Sequence, residues 1–218
     1  MLKGIEIGTR LLVALFAIVP LEAAYEYPPS TTAIRNAYFL GADNNEQTSR
    51  FLAQYVKRPP LPKSGPHVAE IEVRTPYEQV VLHAREVPGS YSAQDAEQDY
   101  RAHPGSFIVR VRIELTPTYS SLLDSGPSGA QAMRLRPGDF WRDFSIRLVQ
   151  QREVKPKRIF GWPIYTSPQR GSGPSQLIAA EVKLEYDPAQ IASAPAQIEV
   201  RTPDGQQVIT EFDLAKLK

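Results

Sequence analysis

The sequence predicts a mainly β fold with a few short helices, an α+β chain organised around an antiparallel immunoglobulin-like β-sandwich core. Three observations carry that prediction. Apolar and polar residues alternate in short run after short run, as half-buried strands require. Twenty prolines in 218 residues, roughly double the usual 5% or so, fall at the edges of these runs and punctuate a fold of many short elements. Near the C-terminus, Pro203-Asp204-Gly205 supplies turn chemistry between two strand-like runs, which reads as a β-hairpin with Gly205 at positive φ. The cysteine and tryptophan marks of true immunoglobulin domains are missing.

The chain opens with Lys3 and Arg10, then the uncharged run 11–21 (LLVALFAIVPL), then Glu22-Ala23-Ala24. This is the layout of a signal peptide over residues 1–24, with Ala23 or Ala24 as the last residue removed. An 11-residue apolar run is short beside the roughly 20 residues that span a bilayer core. An uncleaved signal anchor is the alternative, and it would be the chain's only route to a membrane.

Residues 25–66 read as a helix-containing segment followed by a proline-rich connector, and 67–218 as the sandwich-like domain. From Asn44 to Val56 an asparagine cap, an early acid and Phe51, Leu52, Tyr55 and Val56 predict a short helix. It stops before KRPPLPKSGP, a stiff polyproline-type linker. Residues 68–74 form a strand with Ala69, Ile71 and Val73 on one face and Val68, Glu70, Glu72 and Arg74 on the other. Thr75-Pro76 then opens a helix whose Tyr77, Val80, Val81 and Ala84 make one apolar stripe. Ser92, with Asp95 three residues on, opens a second helix through residue 102.

The clearest strand, 106–116, turns Phe107, Val109, Val111, Ile113 and Leu115 one way, and it belongs at the centre of a sheet. Further strands are predicted at 144–150, 157–162, 177–186, 197–202 and 206–213, with Ile178, Ala180, Val182, Leu184 and Tyr186 alternating along 177–186. The hexapeptide IEVRTP occurs at 71–76 and again at 198–203. A strand ending in a capping threonine and an exit proline explains both copies without a duplication.

Composition excludes several function classes. The net charge is +1, and residues 1–24 carry two bases against two acids, so their removal changes nothing. Neither nucleic acid nor an acidic membrane surface has an electrostatic footprint here. The chain has no cysteine, so it has no disulfide, thiol nucleophile or lipidated N-terminal cysteine. No asparagine begins an N-x-Ser/Thr acceptor, and export without either mark points to a bacterial route.

No catalytic signature emerges, so the reading leans away from an enzyme. The loops at 125–129 and 171–173 do not form a nucleophile elbow or a phosphate cradle. His67, His83 and His103 lack metal-binding spacing, and Asp95, Glu97 and Asp99 lack the glycine and closing glutamate of a calcium loop. No catalytic, cofactor or metal residue is therefore assigned, and no cofactor is expected. What remains is an aromatic set, Phe140, Trp141, Phe160, Trp162 and Tyr165, near predicted strand ends. Of these, Trp141, Trp162 and Tyr165 are the candidate contacts to a ligand or partner, against the alternative that the rings close the core. The expectation is an exported bacterial protein, periplasmic or extracellular, that serves interaction or assembly with a protein partner in the envelope. The alternative is a carbohydrate-binding or glycan-active protein.

Overall fold

The computed structural model describes residues 25–87, 89–123, 134–166 and 175–218. The segment read as a signal peptide, and the loops at 125–129 and 171–173, lie outside these residues.

Side-chain caps set the helices. Helix α1 (Thr31–Asp43) starts where Ser30 accepts the Ala33 N–H and stops at Asn44, which takes a left-handed conformation. It is an element the sequence pattern did not single out. Helix α2 (Glu46–Ala53) begins at a reciprocal capping box between Asn45 and Thr48. The predicted 44–56 helix is thus shorter at both ends, because Val56 is drawn into β1 (Val56–Lys57), which pairs with β2 (His67–Arg74). Helix α3 (Pro76–Glu86) lies behind its Thr75 cap, and the whole predicted stripe, Tyr77, Val80, Val81 and Ala84, is buried. Helix α4 (Ala93–Ala102) starts at the Ser92–Asp95 capping box. Strand β3 (Phe107–Glu114) follows.

The remaining elements are β4 (Leu122–Leu123) and β5 (Arg134–Leu135), which form a small ribbon, a 3₁₀ turn at Phe140–Asp143, β6 (Ser145–Val149), β7 (Glu153–Val154), β8 (Arg158–Tyr165), β9 (Leu177–Tyr186), a 3₁₀ turn at Pro188–Gln190, β10 (Pro195–Arg201) and β11 (Gln207–Asp213). One sheet has the order β1-β2-β3-β9-β8 and the other β11-β10-β6-β7. All pairings are antiparallel. The molecule is therefore mixed α+β, with two antiparallel sheets and four short helices. Strand β3 is central, as its unbroken alternation predicts.

Inward residues of both sheets share one core. Ile71, Val111 and Val182 from the first meet Leu148, Ile198 and Phe212 from the second. Helices α1, α3 and α4 add a smaller cluster of Ile34, Ala37, Val80, Val81 and Ala96 beside it, and Phe51 packs against both. Gly41 lets α1 approach α3 closely, since a Cβ there would lie 2.2 Å from the Val81 carbonyl oxygen. The far end of the chain is tied in where the Lys218 carbonyl accepts from Tyr55 Oη at 2.7 Å and from the Thr75 hydroxyl. Among the described residues no helix is long and apolar enough to cross a membrane.

Two bulges overturn strict alternation. The irregularity between Val68 and Glu70 turns Val68 into the core and leaves Ala69 half-buried, the reverse of the predicted faces. The pairs Ile164↔Ala179 and Tyr165↔Leu177 leave Ile178 without an opposite, and it faces solvent while Ala180, Val182, Leu184 and Tyr186 stay buried. The final hairpin forms as read, with Gly205 at φ +85. Both IEVRTP copies do the same work. Ile and Val enter the core, the glutamate on the opposite strand face pairs with an arginine, and the threonine hydroxyl accepts a backbone N–H, from Glu78 at 3.1 Å and from Gln206 at 3.0 Å.

Candidate functional site

The aromatic set divides. Phe140 goes inward at 2% exposure, packed against Phe144 and Tyr119 with ring centroids 6.2 Å away in each case. The Arg136 guanidinium sits 3.6 Å from the Tyr119 ring centroid, which fixes the entry to the 3₁₀ turn. With Phe140 pinned, the next side chain, Trp141, is directed onto β8. It lies half-buried against Gly161, where a Cβ would come within 2.2 Å of the indole. The Pro137-Gly138 turn meets the far end of the same strand, because a Cβ on Gly138 would stand 3.0 Å from Tyr165 Oη and 3.3 Å from Pro163 Cγ.

Strand β8 is an edge, paired only with β9. Its other rings are open to solvent: Phe160 is 43% exposed, Trp162 42% and Tyr165 50%, with Ile159 at 53%. Core closure therefore accounts for Phe140 but not for these. Trp141, Arg142, Ile159, Phe160, Trp162 and Lys183 line much of an open groove of about 600 Å³ along the strand. Deeper, a space of about 290 Å³ reaches Val182 and Leu184 past the same Trp141, Arg142 and Ile159. The three candidate contacts are thus brought to one strand and the turn packed on it. Ile159, Phe160 and Arg142 join them, and the sequence pattern did not select Ile159 or Arg142. The glycine between two aromatics at 160–162 was the available signal, since it marks a close approach inside a strand.

No family model, curated protein or solved structure matches this chain. The chemistry of the groove must come from its own neighbours.

The polar groups beside the rings are occupied with one another. Phe160 is opposite Lys183 and Trp162 opposite Glu181. Glu181 and Glu72 clasp Arg110, with N···O separations of 2.5 and 2.6 Å. Burial works against the Arg110 charge, but these two carboxylates outweigh it and hold its pKa above the ordinary arginine value. Lys183 pairs with Glu185 at 2.7 Å. The surface is consequently an aromatic and aliphatic strip bordered by self-neutralised charge.

The histidines lie elsewhere. His67 contacts the Pro59 carbonyl at 3.3 Å, and His83 stands edge-on to Tyr91 at a centroid distance of 4.6 Å. His83 and His103 both border a shallow cleft of about 370 Å³ between α3 and α4. Among the described residues no three His, Asp or Glu side chains are grouped to hold a metal ion. Asp95 serves its capping box and Glu97 pairs with Arg35 at 2.6 Å.

Proposed function

We propose that this chain is an exported, non-enzymatic bacterial envelope or secreted protein whose immunoglobulin-like sandwich serves interaction or assembly, with the aromatic strip of β8 as its contact surface for a protein partner. The observation that carries the reading is the joint exposure of Ile159, Phe160, Trp162 and Tyr165 on one edge strand. Phe160 and Trp162 share one face of the strand and Ile159 and Tyr165 take the alternate positions, so this edge shows large apolar side chains on both of its faces, more than scattered surface residues would give. Pro163 in mid-strand removes a backbone donor, so recognition rests on side chains more than on strand addition. The two antiparallel sheets around one core support the sandwich reading.

A glycan ligand is the second reading, favoured by Phe160 and Trp162 standing on the same sheet face, two residues apart. It is disfavoured by the pairing of Glu181 with Arg110 and of Lys183 with Glu185, which leaves few free groups for sugar hydroxyls.

A photo-crosslinking residue at 160, 162 or 165, with position 197 on the other sheet as control, separates the readings in the native cell. Discrete protein adducts from the first three positions and none from the fourth support the proposal. Glycan-array binding abolished by Trp162→Ala, without protein adducts, would replace it with the carbohydrate reading. Absence of both would remove the strip as a functional surface. N-terminal sequencing of the exported chain is expected to begin at Ala24 or Tyr25, and a start at Met1 would instead indicate the uncleaved anchor.

A further inference from the structure

Each sheet has two edges, and three of the four are blunted. Strand β1 is two residues long, and the connector beside it adds an Arg58–Glu70 ion pair at 2.7 Å. Strand β8 carries Pro163 and loses regular register with β9 at Ile164–Tyr165, and β7 is again two residues long. Strand β11 differs. It runs for seven residues without proline or glycine, its register with β10 is unbroken, and Ile209 is 54% exposed on it. Such an edge is a template for another strand unless something blocks it.

Its free hydrogen-bonding groups follow from the hairpin. The Thr202 N–H donates to the Gln206 carbonyl at 3.0 Å, and in an antiparallel ladder bonded pairs recur at every second residue. Val208, Thr210 and Phe212 therefore direct their backbone groups to β10. Gln207, Ile209 and Glu211 direct theirs to the open edge. Among the described residues no hydrogen bond reaches those outward groups.

We propose that β11 pairs antiparallel with β11 of a second copy of this chain, about a two-fold axis through Ile209. That axis sets Ile209 against Ile209 of the second copy, and Gln207 against Glu211 of the second copy in both directions. All three residues are the ones with outward backbone groups, so each pair closes two N–H to carbonyl bonds. The register places apolar against apolar on the axis and an amide against a carboxylate on either side, with no like charges opposed. An axis through Thr210 would set Ile209 against Glu211 and call on the Asp213 carbonyl, which already accepts from the Lys216 N–H at 3.0 Å. An axis through Glu211 would oppose two carboxylates. The self-pairing joins two four-stranded sheets into one of eight and uses a surface separate from the aromatic strip.

The contact is small beside the roughly 1,600 Å² of a standard interface, so the dimer is expected to be concentration-dependent. Sedimentation of the full chain over a wide concentration range should show a monomer–dimer equilibrium, and Ile209→Lys should weaken it about tenfold or more by opposing two charges on the axis. Because the chain lacks cysteine, a single Ile209→Cys gives a register test. Bonded antiparallel pairs have Cα atoms about 5.5 Å apart, within the range a disulfide accepts. Mild oxidation should therefore link Ile209→Cys into a dimer and leave Glu211→Cys monomeric. A monomer at every concentration overturns the proposal, whether the edge is open or taken by residues preceding Tyr25. A dimer indifferent to Ile209→Lys, or one linked through position 211 and not 209, overturns it as well.

Discussion

Glu78 is the most unusual single residue. It sits in the first turn of α3, where the helix dipole favours a carboxylate, yet it is 1% exposed and its Oε2 has no hydrogen-bond partner among the described residues. Burial is the main cause that pushes its pKa from 4.5 up to about 8; the nearby Glu72 adds to the rise, while Arg74 and Arg110 oppose it. A carboxyl whose folded pKa exceeds its unfolded one stabilises the fold in its protonated form. That contribution is fully present below about pH 4.5 and is lost as pH rises through about 8, a change on the order of a few kcal/mol. The depressed carboxylates Asp95, Asp187 and Asp204 act in the opposite sense and only at lower pH. Denaturant titrations from pH 5 to 8.5 should therefore show the native chain losing stability relative to Glu78→Gln as pH rises. Parallel pH profiles for the two proteins would refute this account.

At the scale of elements, β8 and the 3₁₀ turn depend on each other through Gly161. Any side chain there meets the Trp141 ring at 2.2 Å, so Gly161→Ala must displace the indole or the strand, at roughly 1–3 kcal/mol. In a Trp162→Phe background, where Trp141 is the only tryptophan, its fluorescence should shift red in Gly161→Ala. An unchanged emission maximum would mean the indole is not seated on that glycine. Elements with side-chain signals were legible in the sequence. Thr75-Pro76 and Ser92 with Asp95 announced α3 and α4 because a cap is a local interaction. Helix α1 gave no such stripe, since it buries Ile34, Ala37 and Gly41, two of them small, and small residues carry close helix approach without raising the apolar pattern. The aromatics of β8 could not be sorted by alternation. Whether Phe160 and Trp162 face solvent depends on β8 being an edge, and that is a matter of pairing.

At the scale of the whole molecule, strand partners were the part hidden from sequence. Alternation identified β3 and β9 separately, but the register Val111↔Val182 joins residues far apart in the chain, and period-two patterns name faces and not neighbours. The same holds for the helices: α3 and α4 connect β2 to its own neighbour β3, and with α1 they form a second small core beside the two sheets. Phe51 on α2 links the two cores, with ring centroids 5.1 Å from Tyr55 and 5.8 Å from Tyr77. Because the helical cluster buries few side chains of its own, its stability rests on that link to the sheets. Phe51→Ala should cost roughly 2–3 kcal/mol, less than a fully buried phenylalanine because the ring is partly exposed. The loss should be uneven. Amide exchange is expected to accelerate in α1, α3 and α4 well before it does in β3 and β9. Uniform acceleration across helices and central strands would show instead that the two cores open together and that Phe51 is one packing residue among many.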